Sequence, residues 1–239
     1  MERVDLAPLD SSNKAWIDAI VHIGMFMSGT RCVDVRNLGV VEFPEALRLM
    51  KELQQQRIND EIIDTLLILE HPEIVTVGPR ARNDGIVPPS DYASFPVDRG
   101  GGLTWHGEGQ IVAYPIFKWD LEGEDSVAAI ISILEDWIIL ALQECNIEGH
   151  RDNRMQGVWV NQKKISSIGL SFLRWTSRHG FTINYDTPLG RVEMLAGCGL
   201  QENTTTSLAS QGFQVQREEL LNALYSTMFD SINRIRNVK

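Results

Sequence analysis

Cys198 stands in the stretch AGCGL, between Gly197 and Gly199 and outside any periodic apolar pattern. A thiol with a side-chain-free neighbour on each side is open to an acyl carbonyl; the other reading is a cysteine in a tight turn. Free cysteine titrates near pH ~8.5, so a nucleophilic role needs a nearby cation to stabilise the thiolate. The candidate cations are Lys163, Lys164, Arg99 and the histidines His71, His106 and His179. Lys163 and Lys164 are neighbours in the strand-like run KKISSIGL and therefore point to opposite faces. Lys164 shares its face with Ser166 and Ile168, Lys163 with Ile165 and Ser167, and alternation does not decide which face is inward. Cys145, on the apolar face of a long helix, and Cys32, at the head of an alternating strand, read as small structural hydrophobes.

A second cluster is RGGGLTWHGEGQ, residues 99–110, where five glycines crowd around His106. Glycine loses the most conformational freedom on folding, so such a stretch is either a slack surface loop or a backbone that must lie close against a ligand. His106 reads either as a pocket residue or as a partner for buried backbone, His71 as an orienting group before a proline, and His179 as a group that positions a sheet. His22 and His150 read as structural or surface residues.

Composition narrows the class. The chain has 239 residues, is 43% hydrophobic and carries a net charge of -10, so it can bury a core and has no basic footprint for nucleic acid. Three widely spaced cysteines do not make a disulfide framework, and a reducing, cytoplasmic setting is expected. CxxC, HExxH and Walker A patterns do not occur, so no metal and no cofactor is expected. The N-terminus reads neither as a signal peptide nor as a transit peptide, and no apolar run reaches the ~18 residues of a membrane span.

The elements that must position these residues follow from periodicity. Residues 13–27 place Trp16, Ile17, Ile20, Ile23 and Met27 on one helical face, within a segment 1–30 that reads as an N-terminal extension. Strands are expected over 32–36, 64–71, 73–78 and 110–117, the last at a sheet edge or a bulge because of Pro115. Helices are expected over 43–57, over 126–147 with Ser126 as N-cap and Val127, Ile130, Ile131, Leu134, Ile138 and Leu142 on the apolar face, and over about 217–234. QGVWV, KKISSIGL and HGFTINY read as three successive strands, broken at Asn161-Gln162 and at Arg178-His179-Gly180. Runs of strands with interposed helices give an α+β fold, a sheet covered by helices.

Over about 33–208 the chain resembles the lipoyl(octanoyl) transferases, the octanoyl-carrier-protein:protein transferases of lipoate biosynthesis. The resemblance is carried, in order, by VDVRNLGVVEFPEALRLM, LLILEHPEIVTVG, RGGGLTWHGEGQIVAYPI, GVWV, KISSIG, HGFTIN and CGL. It implies the mixed β-sheet flanked by helices of the biotin/lipoate protein ligase (class II synthetase-like) catalytic domain, over residues 31–239. It implies Cys198 as the acyl-thioester nucleophile and Lys164 as the residue that lowers its pKa and handles protons. It assigns acyl-substrate contacts to Arg99, Gly100, Gly101, Gly102, Leu103, Thr104, Trp105 and His106, to Ser167, Ile168 and Gly169, and to Gly180, Phe181 and Thr182. It also implies octanoyl-acyl carrier protein as donor, and as acceptors the apo lipoyl domains of 2-oxoacid dehydrogenase E2 subunits and the glycine cleavage H protein. Glu108 replaces the proline of the family's HGPGQ and Ala196-Gly197 precede the cysteine, departures in loop shape rather than chemistry.

Thioester-to-thioester exchange followed by amide formation needs no ATP. Backbone N–H groups near Cys198 or in the glycine stretch are candidates to hold the oxyanion, each such donor worth ~3 kcal/mol. Leu103, Trp105 and Phe181 would supply apolar wall, and Arg80, Arg82, Arg99, Lys163, Arg174 and Arg178 are candidates for a basic patch toward acidic partners. Three rivals stand. An ATP-dependent lipoate or biotin ligase would work without Cys198. A non-catalytic lipoyl-domain or carrier-protein binder would form no acyl-enzyme. A Cys-His hydrolase would release free octanoate.

Overall fold

The computed structural model describes residues 30–195 and 202–237. The expected helix at 13–27 and Cys198 with its flanking glycines lie outside the described residues.

Two strands that read as continuous apolar runs form the centre. β1 (Arg31–Val40) leads through α1 (Phe43–Ile58) to β2 (Asp64–Glu70), in which every residue is buried. β6 (Gln110–Ile116) is buried throughout as well. Such runs belong to strands covered on both faces, and the packing agrees. Leu66, Ile68, Ile111 and Ala113 face the 18-residue helix α3 (Val127–Glu144) with its Leu134, Trp137 and Ile138, while Leu67, Leu69, Val112 and Tyr114 face Ala46, Met50 and Leu53 of α1. Ser126 caps α3, its Oγ accepting the Ala129 N–H at 3.1 Å. Val127 is exposed, not part of the buried face, and Cys145 is the half-buried C-cap, its thiol pushed up to about 11 by burial and nearby carboxylates.

Between β2 and β6 lie β3 (Ile74–Val77), the short helix α2 (Pro79–Asn83), β4 (Ser94–Pro96) and β5 (Leu103–His106); β3, β4 and β5 form a small sheet of their own. After α3 come β7 (Val158–Val160) and β8 (Lys163–Ser166), paired antiparallel, then β9 (Ile168–Leu173), β10 (Thr176–Asn184), α4 (Arg217–Ser226), α5 (Met228–Ile232) and β11 (Arg234–Arg236). The main sheet runs β11-β1-β2-β6-β10-β9, with β11, β1 and β2 parallel and the remaining pairs antiparallel. This is the mixed, helix-flanked sheet expected.

Four expectations are corrected. The strand holding Pro115 is interior, between β2 and β10. The proline lacks an N–H toward β10, and β10 yields instead: His179 takes φ +59°, its N–H turns to Met50 Sδ, and the Pro115 carbonyl accepts from Ser177 Oγ at 2.5 Å. KKISSIGL is two strands in two sheets, divided at Ser167. The next reversal falls at Arg174-Trp175, both with positive φ, so β10 runs through Arg178-His179-Gly180 rather than starting after it. The last helix ends early, and Asn233, also at positive φ, turns the chain into β11. β11 is pinned by Arg234, fully buried, which donates to Asp64 Oδ2 at 2.8 Å and Glu124 Oε1 at 2.5 Å and lies over the rings of Phe117 and Trp119.

Candidate active site

The glycine loop, Arg99–Gly102, joins β4 to β5 and is fastened from three sides. Gly100 N–H donates to Leu170 O of β9 at 2.9 Å, Gly78 N–H to Gly102 O at 2.9 Å, and Arg80 N–H to Gly101 O at 3.2 Å. The approach is close: a Cβ on Gly78 would stand 2.3 Å from the Gly101 oxygen, and one on Gly169 2.9 Å from the Gly100 oxygen. Arg99 is buried and laces the loop internally, donating to Gly100 O, Gly102 O, Thr76 O and Thr76 Oγ1 at 2.7 to 3.1 Å. It is therefore no member of a surface basic patch. Arg178 is paired with Asp98, and Lys163 Nζ donates to Asn203 O. The other glycines of the motif serve packing. Gly107 lies under the Trp105 ring, and Gly109, at φ +81°, abuts Asp186 O and donates its N–H to Glu70 Oε2.

The loop forms one wall of a cavity of about 190 Å³. Eleven of the fourteen expected substrate contacts line it, namely Arg99, Gly100, Gly101, Gly102, Leu103, Thr104, Trp105, Ser167, Ile168, Gly169 and Thr182, and so does Lys164. His106, Gly180 and Phe181 do not; they line a smaller adjoining cavity with Phe43, Tyr114 and His179. Phe181 is thus no wall of the larger space, because it points to the Trp137 side of the core. The larger cavity also takes Val127 and Ile131 of α3, Leu170 of β9, and Val192, Leu195 and Thr205, which periodicity did not mark as site residues.

Of the two lysines, Lys164 is the inward one, 4% exposed, and Lys163 is exposed. The Lys164 backbone is bonded on both sides to the segment that follows the cysteine region: its N–H donates to Thr204 O, and its O accepts from Thr206 N–H, both at 2.9 Å. Glu193 fixes the same segment from before that region, its backbone carbonyl accepting Asn203 N–H and its Oε1 accepting Thr206 Oγ1–H at 2.8 Å.

A buried hydrogen-bond chain links the two halves of the site. Gln110 Nε2 donates to Trp105 O and Asn184 Oδ1, which leaves Gln110 Oε1 to accept from His106 Nδ1 at 2.8 Å. His106 Nε2 is then the acceptor facing Thr76 Oγ1 at 3.2 Å, and Thr76 in turn accepts from Arg99. At the other end Asn184 Nδ2 donates to Thr206 O, next to Lys164's partner. Burial, helped by the nearby Arg99 guanidinium, holds His106 well below the ordinary imidazole range, so it is neutral. His71 is likewise neutral, lowered to about 4 by burial, with contacts to Val41 O and the Tyr114 hydroxyl. His179 reaches Asp98 Oδ1 at 3.0 Å, and this bond together with Arg178 lowers the Asp98 carboxyl to about 2. The histidines build the wall behind the cavity.

No helix among the described residues is long and apolar enough to cross a membrane. The family model for the lipoyl protein ligase A/B catalytic domain matches residues 42–229. The octanoyltransferase of Caldicellulosiruptor bescii is 38% identical over 184 residues, covering 74% of this chain and 81% of the relative. That of Rubrobacter xylanophilus is 40% identical over 185 residues, covering 74% and 82%. Among solved structures, a lipoate-protein ligase A bound with ATP superposes with a TM-score of 0.62 at 11% identity, covering 88% of both chains. A lipoate protein ligase from T. acidophilum with bound lipoic acid gives 0.63 at 12%, covering 87% and 88%. At that identity these two likenesses speak for the fold, whereas the sequence relatives speak for the reaction. The chain belongs to the octanoyltransferases, acyl-transferring enzymes within the lipoyl protein ligase A/B catalytic-domain family.

Proposed function

We propose that this chain carries an octanoyl or lipoyl group from the thioester of an acyl carrier protein to a lysine of a lipoyl domain, by way of a thioester on Cys198. The Cys198 thiolate attacks the donor carbonyl, the C–S bond to the carrier arm breaks, and the arm leaves as a thiol after taking a proton from the Lys164 ammonium, which becomes a neutral amine. The acceptor amine then attacks the enzyme thioester, an amide forms, and Cys198 is released as thiolate while the amine's proton passes to Lys164.

The observation that carries this reading is the place of Lys164. It is the buried member of its pair, lines the cavity, and is bonded through its backbone to residues 204–206. Cys198 comes three residues after Leu195 and seven before Thr205, and both of these line the same cavity. An ammonium and a thiolate withdrawn from water each cost free energy alone and stabilise one another as a pair. Leu103, Trp105, Ile168 and Leu170 offer apolar wall to the acyl chain, and Arg99 through Gly102 with Ser167, Gly169 and Thr182 hold its head. His106, Gly180 and Phe181 act from behind. Residues 31–239 act as one catalytic domain behind an N-terminal extension, in the reducing cytoplasm, where a free thiol is kept reduced.

The test is intact-protein mass spectrometry after mixing with octanoyl-acyl carrier protein. The expected result is a gain of one octanoyl group without ATP, discharged by an apo lipoyl domain and absent from Cys198→Ser. Transfer by Cys198→Ala from free octanoate and ATP would overturn the reading in favour of a ligase.

A further inference from the structure

The face of α3 toward the core is apolar, with Ile130, Leu134, Trp137 and Ile138 buried on it, yet Glu135 is buried there too, 5% exposed. A carboxylate in that position costs free energy unless its oxygens are bonded. Both are: Oε2 accepts from Arg151 Nε at 2.8 Å, and Oε1 accepts the Gly157 N–H at 2.8 Å. Gly157 sits at φ +122°, immediately before β7. A Cβ there would stand 2.7 Å from Lys164 Cε and 2.2 Å from Ser166 O. Glycine therefore vacates the space through which the Lys164 side chain runs, and Glu135 fixes the backbone of that glycine.

We infer that Glu135 is a positioning residue for acyl transfer: by anchoring the Gly157 backbone it holds open the slot that sets where the Lys164 side chain lies at the cavity. The inference rests on Lys164 and Cys198 working as proposed above. It assigns a task to a helix carboxylate that does not line the cavity, and it makes the acceptor oxygen, not the negative charge, the feature that matters.

The test uses the full chain with two substitutions. Glu135→Met fills a similar volume but removes the acceptor; Glu135→Gln keeps an acceptor oxygen for Gly157 and removes the charge. The readouts are the pH midpoint of Cys198 alkylation by iodoacetamide and the single-turnover acylation rate from octanoyl-acyl carrier protein. Glu135→Met is expected to raise the midpoint by about half a unit or more and slow acylation by about 10-fold, with Glu135→Gln within about 2-fold of the parent. An unmoved midpoint in Glu135→Met, or an equal shift in Glu135→Gln, overturns the inference. If Glu135→Met does not fold, Gly157→Ala closes the same slot from the other side; it is expected to shift the midpoint likewise, and no shift overturns the inference. Lys164→Met separates the two levels. No shift in that variant sinks the lysine–cysteine reading itself, whereas a shift there without one in Glu135→Met sinks only the role of Glu135.

Discussion

Gln110 and Asn184 face each other in register across β6 and β10 and are joined by a side-chain hydrogen bond of 2.8 Å. The bond orients the Gln110 amide so that its oxygen meets His106, and it ties Asn184 to Thr206 beside Lys164. Gln110→Leu would leave His106 Nδ1 and Asn184 Oδ1 without these partners in the interior, at about 1–3 kcal/mol for each buried group. Urea unfolding should show that loss. Acylation from octanoyl-acyl carrier protein should fall as well, because the same chain ends on Arg99 in the glycine loop.

Acid sensitivity follows from His71. Its pKa is lowered to about 4 in the fold against an ordinary value of 6.5, so the unfolded chain binds the proton more readily between these limits. Stability is complete above pH ~6.5 and declines as pH falls toward ~4, by about 3 kcal/mol from this residue alone. His106, depressed in the same direction, steepens the decline. Asp98, lowered to about 2, contributes stability that is lost only at still lower pH, as its carboxylate is protonated. Denaturant melts at pH 7, 6 and 5 should trace the slope, and His71→Gln should flatten it.

Gly78→Ala would press its new methyl against the Gly101 and Gly102 carbonyls, 2.3 and 3.0 Å from the Cβ. Displacing the loop should cut kcat/KM for the acyl donor by about 10-fold or more. Gly85→Ala is the control. Gly85 sits at φ +68°, a strain that Gly78 at φ -75° does not carry, yet its Cβ meets nothing within 4 Å, so activity should hold.

Arg234→Met would strip Glu124 of its buried guanidinium partner and leave Asp64 with one guanidinium partner, Arg57, in place of two. Breaking a buried ion network in this way costs about 3–5 kcal/mol. Arg36→Met, which opens a half-exposed pair with Asp34, should cost less than about 1 kcal/mol. Guanidinium unfolding of the two variants reads the difference.

Much of this was legible in the chain because period and burial agree. β2 and β6 read as apolar runs and are covered on both faces; α3 announced its start with Ser126. Arg99–Trp105 and most of the other expected contacts converge on one cavity because they are consecutive along strands and loops that line it. What was not legible depended on partners distant in sequence. Pro115 is interior because His179 gives way, and nothing near residue 115 says so. β11 is three residues long and owes its place to Asp64 and Glu124, 170 and 110 positions away. The choice between Lys163 and Lys164 needed the neighbours of β8, since alternation alone is symmetric between two adjacent residues. Glu135 carried no motif, only a charge where the helix period called for an apolar side chain.

β11 lies parallel to β1, Arg31 beside Arg234 and Val33 beside Arg236. A ribosome makes these partners some two hundred residues apart, so the outermost rung of the sheet is the last to be laid down. Until then β1 presents an unpaired rim to the cell, and Asp64 waits for one of its two guanidinium partners. A nascent chain stalled shortly before residue 234 should hold a nearly assembled sheet with a sticky border, a natural target for chaperone capture during synthesis.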